Sequence, residues 1–271
     1  MVSLRFVTLL ATLTLLLFSP PLQAQTAQAV TTHRYDGLAL GGMQYGKLSA
    51  ERPVILLIHD TMSHMHDPAL KPWIALFKQL NATLLTINLS YNQAHRQGPL
   101  PCDITHTHRH GDALVEIPAW LAWLRRAGVQ KVFLAGQGRG ANQVAWYASE
   151  SYEKIMAGLL LIDPMESNFE QTTDGYKARF GTPLQPLLGH MIQMNMHQME
   201  NMAQSDIGFL TCDKVSVTPA SFFSYYNDDA RQSTAFILTQ MRMPHWIAAH
   251  NRPYKSSLSE IEKLLNEHVN P

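Results

Sequence analysis

Residues 132–141 read V-F-L-A-G-Q-G-R-G-A. Val132, Phe133, Leu134 and Ala135 form an apolar run with strand character. Gly136-Gln137-Gly138-Arg139-Gly140 follows as a turn, and Asn142 to Ala148 has helical character. Glycine lacks a Cβ, so it suits a sharp turn. Strand, turn and helix in succession predict one βα unit of a parallel sheet. Gly138, at the centre of the turn, offers no side-chain atom to any chemistry. A dinucleotide-binding reading fails, because G-x-G-x-x-G needs glycine where Ala141 stands and this is not the first βα unit.

Outward from this stretch, the same pattern repeats. Val54 to Ile58 and Gly158 to Ile162 are continuous apolar runs, the mark of strands buried on both faces. Thr83 to Leu89 predicts another strand. Leu70, Trp73, Ile74, Phe77 and Leu80 recur at helical spacing over 68–80. Ala113 to Ala127 predicts a helix ended by Gly128, and the helix after the turn runs to about Tyr152. Residues 30–50 suit an opening hairpin turning near Gly41-Gly42. A loop rich in His, Pro and Gly fills 91–111. Met191, Met194, Met196, Met199 and Met202 lie along one expected helix, and residues 222–229 read as part of a lid. Met243 to Ala249 predicts a last strand, followed by a short amphipathic helix carrying Leu258, Ile261, Leu264 and Leu265. Alternating strands and helices imply an α/β fold: a mostly parallel sheet with helices on both faces. Ligands of such sheets bind beyond the carboxyl ends of the strands. His59, Asp60, Gly138 and Asp163 sit at those ends and should line one crevice.

The chain has 271 residues, with 21 Lys and Arg against 21 Asp and Glu. A balanced charge gives no electrostatic argument for a nucleic-acid or anionic-membrane partner, and no nucleic-acid partner is expected. Arg5, the uncharged Leu-rich stretch Phe6 to Phe18, the break at Ser19-Pro20-Pro21 and the small residue Ala24 describe a signal peptide over 1–24. Export to the periplasm or medium follows, with no stable membrane span once the peptide is cleaved. An oxidising compartment permits a disulfide between Cys102 and Cys212, the chain's two cysteines.

Several stretches together resemble the α/β-hydrolase family, over about residues 33–250. They are L-L-I-H-D-T (56–61), I-N-L-S-Y-N (87–92), Cys102 through Leu124, the turn with Gln143, and S-F-F-S-Y-Y (221–226). Residues 136–140 then correspond to the family's nucleophile elbow, G-x-S-x-G, with Gly138 in place of serine. The resemblance is closest to exported bacterial members of unassigned substrate. It implies one domain over 30–271 with a small helical cap at about 165–235.

Family catalysis needs a serine, a histidine base, an orienting acid and two oxyanion N–H groups. Carried over, the N–H donors are Arg139 and the Asp60-Thr61 turn. The crevice comprises His59, Asp60, Thr61, Gln137, Gly138 and Arg139. Asp60 places a carboxylate where an oxyanion would form, unfavourably unless it turns away. The acid should follow the last strand, which runs instead into His250-Asn251-Arg252-Pro253. The histidine should come later, where only the tail residue His268 stands, and the C-terminus looks shortened against the family. Gly138→Ser is expected to fold, serine being the family's own choice, without restoring turnover.

Two functional classes result. One is a non-catalytic protein that binds a small molecule or a protein partner in the crevice, with no cofactor. The other is a residual ester or acyl hydrolase using Ser90, Ser224 or a metal-bound water. Metal ligands for the second would come from His106, His108 and His110, with Asp112, His59, His64 and His66 nearby.

Overall fold

The computed structural model describes residues 27–166, 168–249 and 255–269. Residues 1–24, where a signal peptide is expected, and the His250–Pro253 stretch lie outside the described residues. The chain begins with β1 (Ala27–His33) and β2 (Ala39–Tyr45), then β3 (Val54–Ile58), α1 (Lys71–Phe77) and β4 (Thr83–Ile87). β5 (Thr105–His106), α2 (Ala113–Arg126), β6 (Val132–Gln137), α3 (Arg139–Glu150) and β7 (Met156–Ile162) follow. Next come α4 (Phe169–Phe180), α5 (Leu184–Met196), β8 (Gln204–Phe209), β9 (Cys212–Val217), α6 (Pro219–Tyr226) and α7 (Thr234–Thr239). β10 (His245–Ala248) and α8 (Lys255–Val269) complete the described chain.

Seven strands form the main sheet in the order β1-β2-β4-β3-β6-β7-β10. β1 and β2 run antiparallel at one edge, and the pairs from β4 to β10 are parallel. Every residue of β3, β4 and β6 is buried. This is why those strands are apolar without alternation. One face packs Ile117, Trp120, Leu121 and Leu124 of α2 with Ala141, Val144 and Ala145 of α3. The other receives Trp73 and Phe77 from α1 and Ile261 and Leu265 from α8. A second sheet, β5-β9-β8, lies between β7 and β10 in the chain, joined to the β4–α2 loop through β5. Cys102 and Cys212 are bonded, tying that loop to β9.

Several expectations are corrected. The opening hairpin turns over residues 34–38, where Arg34 N–H bonds Leu38 O at 2.9 Å and Gly37 takes φ +86°. Gly41 and Gly42 lie inside β2 instead, and a Cβ on Gly42 would stand 2.9 Å from the Trp120 ring. Close packing, not a turn, requires that glycine. The helix of 68–80 is a 3₁₀ turn (Pro68–Leu70) leading into α1. Met199 and Met202 fall beyond the end of α5. Residues 222–226, expected in the cap, belong to α6. The β8–β9 hairpin was not foreseen.

Candidate functional site

β3 and β6 are neighbours, with Ile58 opposite Gly136, so their C-terminal loops meet. His59-Asp60-Thr61 leaves β3, and Gln137-Gly138-Arg139 leaves β6 into α3. The close approach is extreme. A Cβ on Gly140 would lie 2.4 Å from His59 O, and one on Gly136 would lie 2.4 Å from Gly140 O. Gly138 holds φ 55° and ψ −119°, the strained turn that a nucleophile elbow uses to lift its central residue above the sheet.

Asp60 does not turn away. Its Oδ1 accepts from Thr61 N–H at 2.6 Å, from Arg139 N–H at 2.8 Å and from the Thr61 hydroxyl at 3.1 Å. Two backbone donors from two loops converge on one oxygen, as oxyanion donors do, but that oxygen belongs to the protein. The carboxyl also fills the space over Gly138: a Cβ there would sit 2.2 Å from Asp60 Cγ. The expectation that Gly138→Ser is readily accommodated is therefore corrected. Serine at 138 requires the Asp60 side chain to leave.

Arg139 braces this arrangement from the side. Its Nε donates to Thr61 Oγ1 at 3.2 Å and its Nη1 to His110 Nδ1 at 3.0 Å, with the guanidinium 5.0 Å from the Tyr225 ring centre. His110 donates through Nε2 to Asn142 Oδ1 at 2.9 Å. Burial, followed by the Arg139 charge, lowers the His110 pKa to about 3. An imidazole this acidic is a poor base at neutral pH. His59 is equally committed. Nδ1 donates to Asp60 O at 2.7 Å, and Nε2 accepts from Leu89 N–H at 3.1 Å and Arg96 Nη2 at 2.8 Å. Burial, then Arg96, takes its pKa to about 3. Gln137 is buried at the strand end. A cavity of about 370 Å³ opens above, lined by Asp60, Thr61, Arg139, Thr172, Arg179 and Tyr226 among others.

The histidine loop divides. His106 Nδ1 lies 3.2 Å from His108 Nε2, and His108 Nδ1 lies 2.8 Å from Tyr225 Oη. His110 points the other way, to Asn142 and Arg139. Burial lowers the pKa of His106 and, more strongly, of His108. Among the described residues no group of three or more His, Cys, Asp or Glu side chains could hold a metal ion. Asp112 accepts from Arg109 N–H at 2.7 Å, and His64 and His66 stand together with ring centres 6.2 Å apart. Neither serine candidate meets an imidazole. The Ser90 hydroxyl bonds Glu116, and Ser224 Oγ donates to Ser221 O at 2.7 Å. His268 sits in the last turn of α8.

Two buried charged groups were missed in the sequence. Arg96 lies 4.8 Å over the Tyr91 ring and donates to His59. Glu116, fully buried on α2, accepts from Ser90 N–H at 2.8 Å and lies 3.8 Å from Arg34. Burial raises its pKa to about 7, against the pull of Ser90. The signal for Glu116 was present: it falls on the apolar face of the helix, one turn after Ala113 and one before Trp120.

Solved structures share this architecture. A hypothetical protein of Pseudomonas aeruginosa superposes with a TM-score of 0.58 at 12% identity, over 91% of this chain and 94% of that one. The Pyrococcus furiosus esterase gives 0.58 at 14% identity, over 91% and 92%. This is the α/β-hydrolase fold. At such identities the likeness speaks to the fold alone. No family model matches the sequence, and no curated protein matches it either. Within the α/β-hydrolase fold, the β3 and β6 loops carry the crevice at the carboxyl end of the sheet.

Proposed function

We propose that this is an exported, non-catalytic member of the α/β-hydrolase fold that binds a small molecule or a protein partner in the crevice above Asp60. One observation carries the reading. The carboxylate of Asp60 occupies both backbone donors, Thr61 N–H and Arg139 N–H, and stands over a residue that has no nucleophile. An acyl-transfer intermediate would need those donors and that space. The nearest imidazoles, His59 and His110, are buried, neutral and bonded on both nitrogens. The crevice keeps its shape, with Arg139, Arg179, Thr172 and Tyr226 facing a volume of about 370 Å³ under the cap. The disulfide suits an exported protein, and no helix among the described residues is long and apolar enough to cross a membrane.

The test is hydrolysis of a short-chain ester panel by the purified mature protein, with Arg139→Pro as control. Proline is tolerated at the first helical position and removes one N–H. No turnover in either protein is expected. Turnover by the wild type that the variant abolishes would overturn the reading and return the search to another nucleophile or a metal-bound water.

A further inference from the structure

The methionine run divides at the end of α5. Met191 and Met194 point into the core, at 0% and 6% exposure, whereas Met196, Met199 and Met202 are 77%, 37% and 58% exposed. The backbone carries these three residues through consecutive turns. His197 N–H bonds Gln193 O at 3.0 Å, and Met199 N–H reaches back to Met194 O at 2.9 Å. Gln198 reverses the chain with φ +59°. Met202 N–H then bonds Met199 O at 3.0 Å, a turn that brings the ends of four residues within about 7 Å. Ala220 N–H bonds Glu200 O at 3.0 Å and pins the turn to the start of α6. His197, between Met196 and Met199 in the chain, is exposed. The four residues share no lining with the crevice at Asp60.

We propose that Met196, Met199 and Met202, with His197 beside them, form a site for a soft monovalent cation, Cu(I) or Ag(I). Thioethers are soft, uncharged ligands that select such ions over zinc, magnesium or calcium. They need no deprotonation, so the site does not compete with protons through its sulfurs. Each methionine has three rotatable bonds and can turn its sulfur inward over a fixed backbone. Imidazole supplies a further donor of intermediate softness.

The test is a silver(I) titration of the untagged full chain with its disulfide intact, so that free thiols do not compete. Methyl signals of ¹³C-labelled methionine report which sulfurs respond. One bound equivalent is expected, moving the Met196, Met199 and Met202 methyls and sparing Met191 and Met194. The triple variant Met196→Leu, Met199→Leu, Met202→Leu keeps size and apolarity and should lose the bound equivalent while retaining the wild-type circular dichroism. His197→Ala should keep the equivalent at reduced affinity. Undiminished uptake by the triple variant, or no uptake by the wild type, would overturn the proposal. A surface that merely docks an apolar partner would bind no silver in either protein.

Discussion

Asp60 is the residue on which the proposed function turns. Its carboxyl satisfies two N–H groups that the β3 and β6 loops would otherwise present to the crevice. The same carboxyl fills the space a side chain at 138 would need. Gly138 and Asp60 are thus one arrangement and should be energetically coupled. Gly138→Ser is expected to destabilise the wild type, from the clash and from placing a side chain at positive φ. Asp60→Gly should relieve the clash but not the backbone strain. Chemical denaturation of the two single variants and the double variant should give a coupling on the order of 0.5–3 kcal/mol. Additive effects would mean that the carboxyl yields freely and is no plug.

At the scale of elements, the disulfide joins the β4–α2 loop to β9 across 110 residues of chain. β5 pairs with β9 over only two residues, Thr105 and His106, so hydrogen bonding alone holds that junction weakly. Cys102→Ser should lower the melting temperature of the oxidised protein. The chain-entropy account sets the loss at up to about 4–5 kcal/mol for a loop this long. The reduced wild type and the variant should melt together; an equal loss in reducing and oxidising buffer would count against a role for the cross-link. Elements were legible in the sequence where burial was simple. β3, β4, β6 and β7 are nearly or wholly buried, so their apolar runs announce them. The β8–β9 hairpin is half exposed, and Q-S-D-I-G-F and C-D-K-V-S-V carry too little contrast to stand out. The glycine pair 41–42 misled, because a glycine required by a neighbouring ring looks the same in sequence as one required by a turn.

Across the whole molecule, buried titratable groups give stability two opposing slopes with pH. His59 and His110 have folded pKa values of about 3, below the unfolded value of 6.5, so stability is lost as pH falls below 6.5 toward 3. Glu116 acts in the other direction. Its folded pKa of about 7 exceeds the unfolded 4.5, so the native state holds the extra proton between them, and stability is lost as pH rises through that window. Glu116→Gln should remove this second slope. Urea midpoints at pH 5 and pH 8 should show the variant gaining on the wild type by on the order of 3 kcal/mol at the higher pH. A difference that does not change with pH would refute the assignment. By itself, the sequence determined the buried strands and covering helices of the main sheet, the place of the elbow and which two cysteines could pair. Those follow from local periodicity, from glycine's missing Cβ and from there being only two thiols. The tertiary structure alone decided which way Asp60 points, that the three alternating histidines part company, and that a glutamate on α2 lies in the core. Each of these depends on groups brought together from distant parts of the chain, where burial and hydrogen-bond partners, invisible to local pattern, set the conformation and charge.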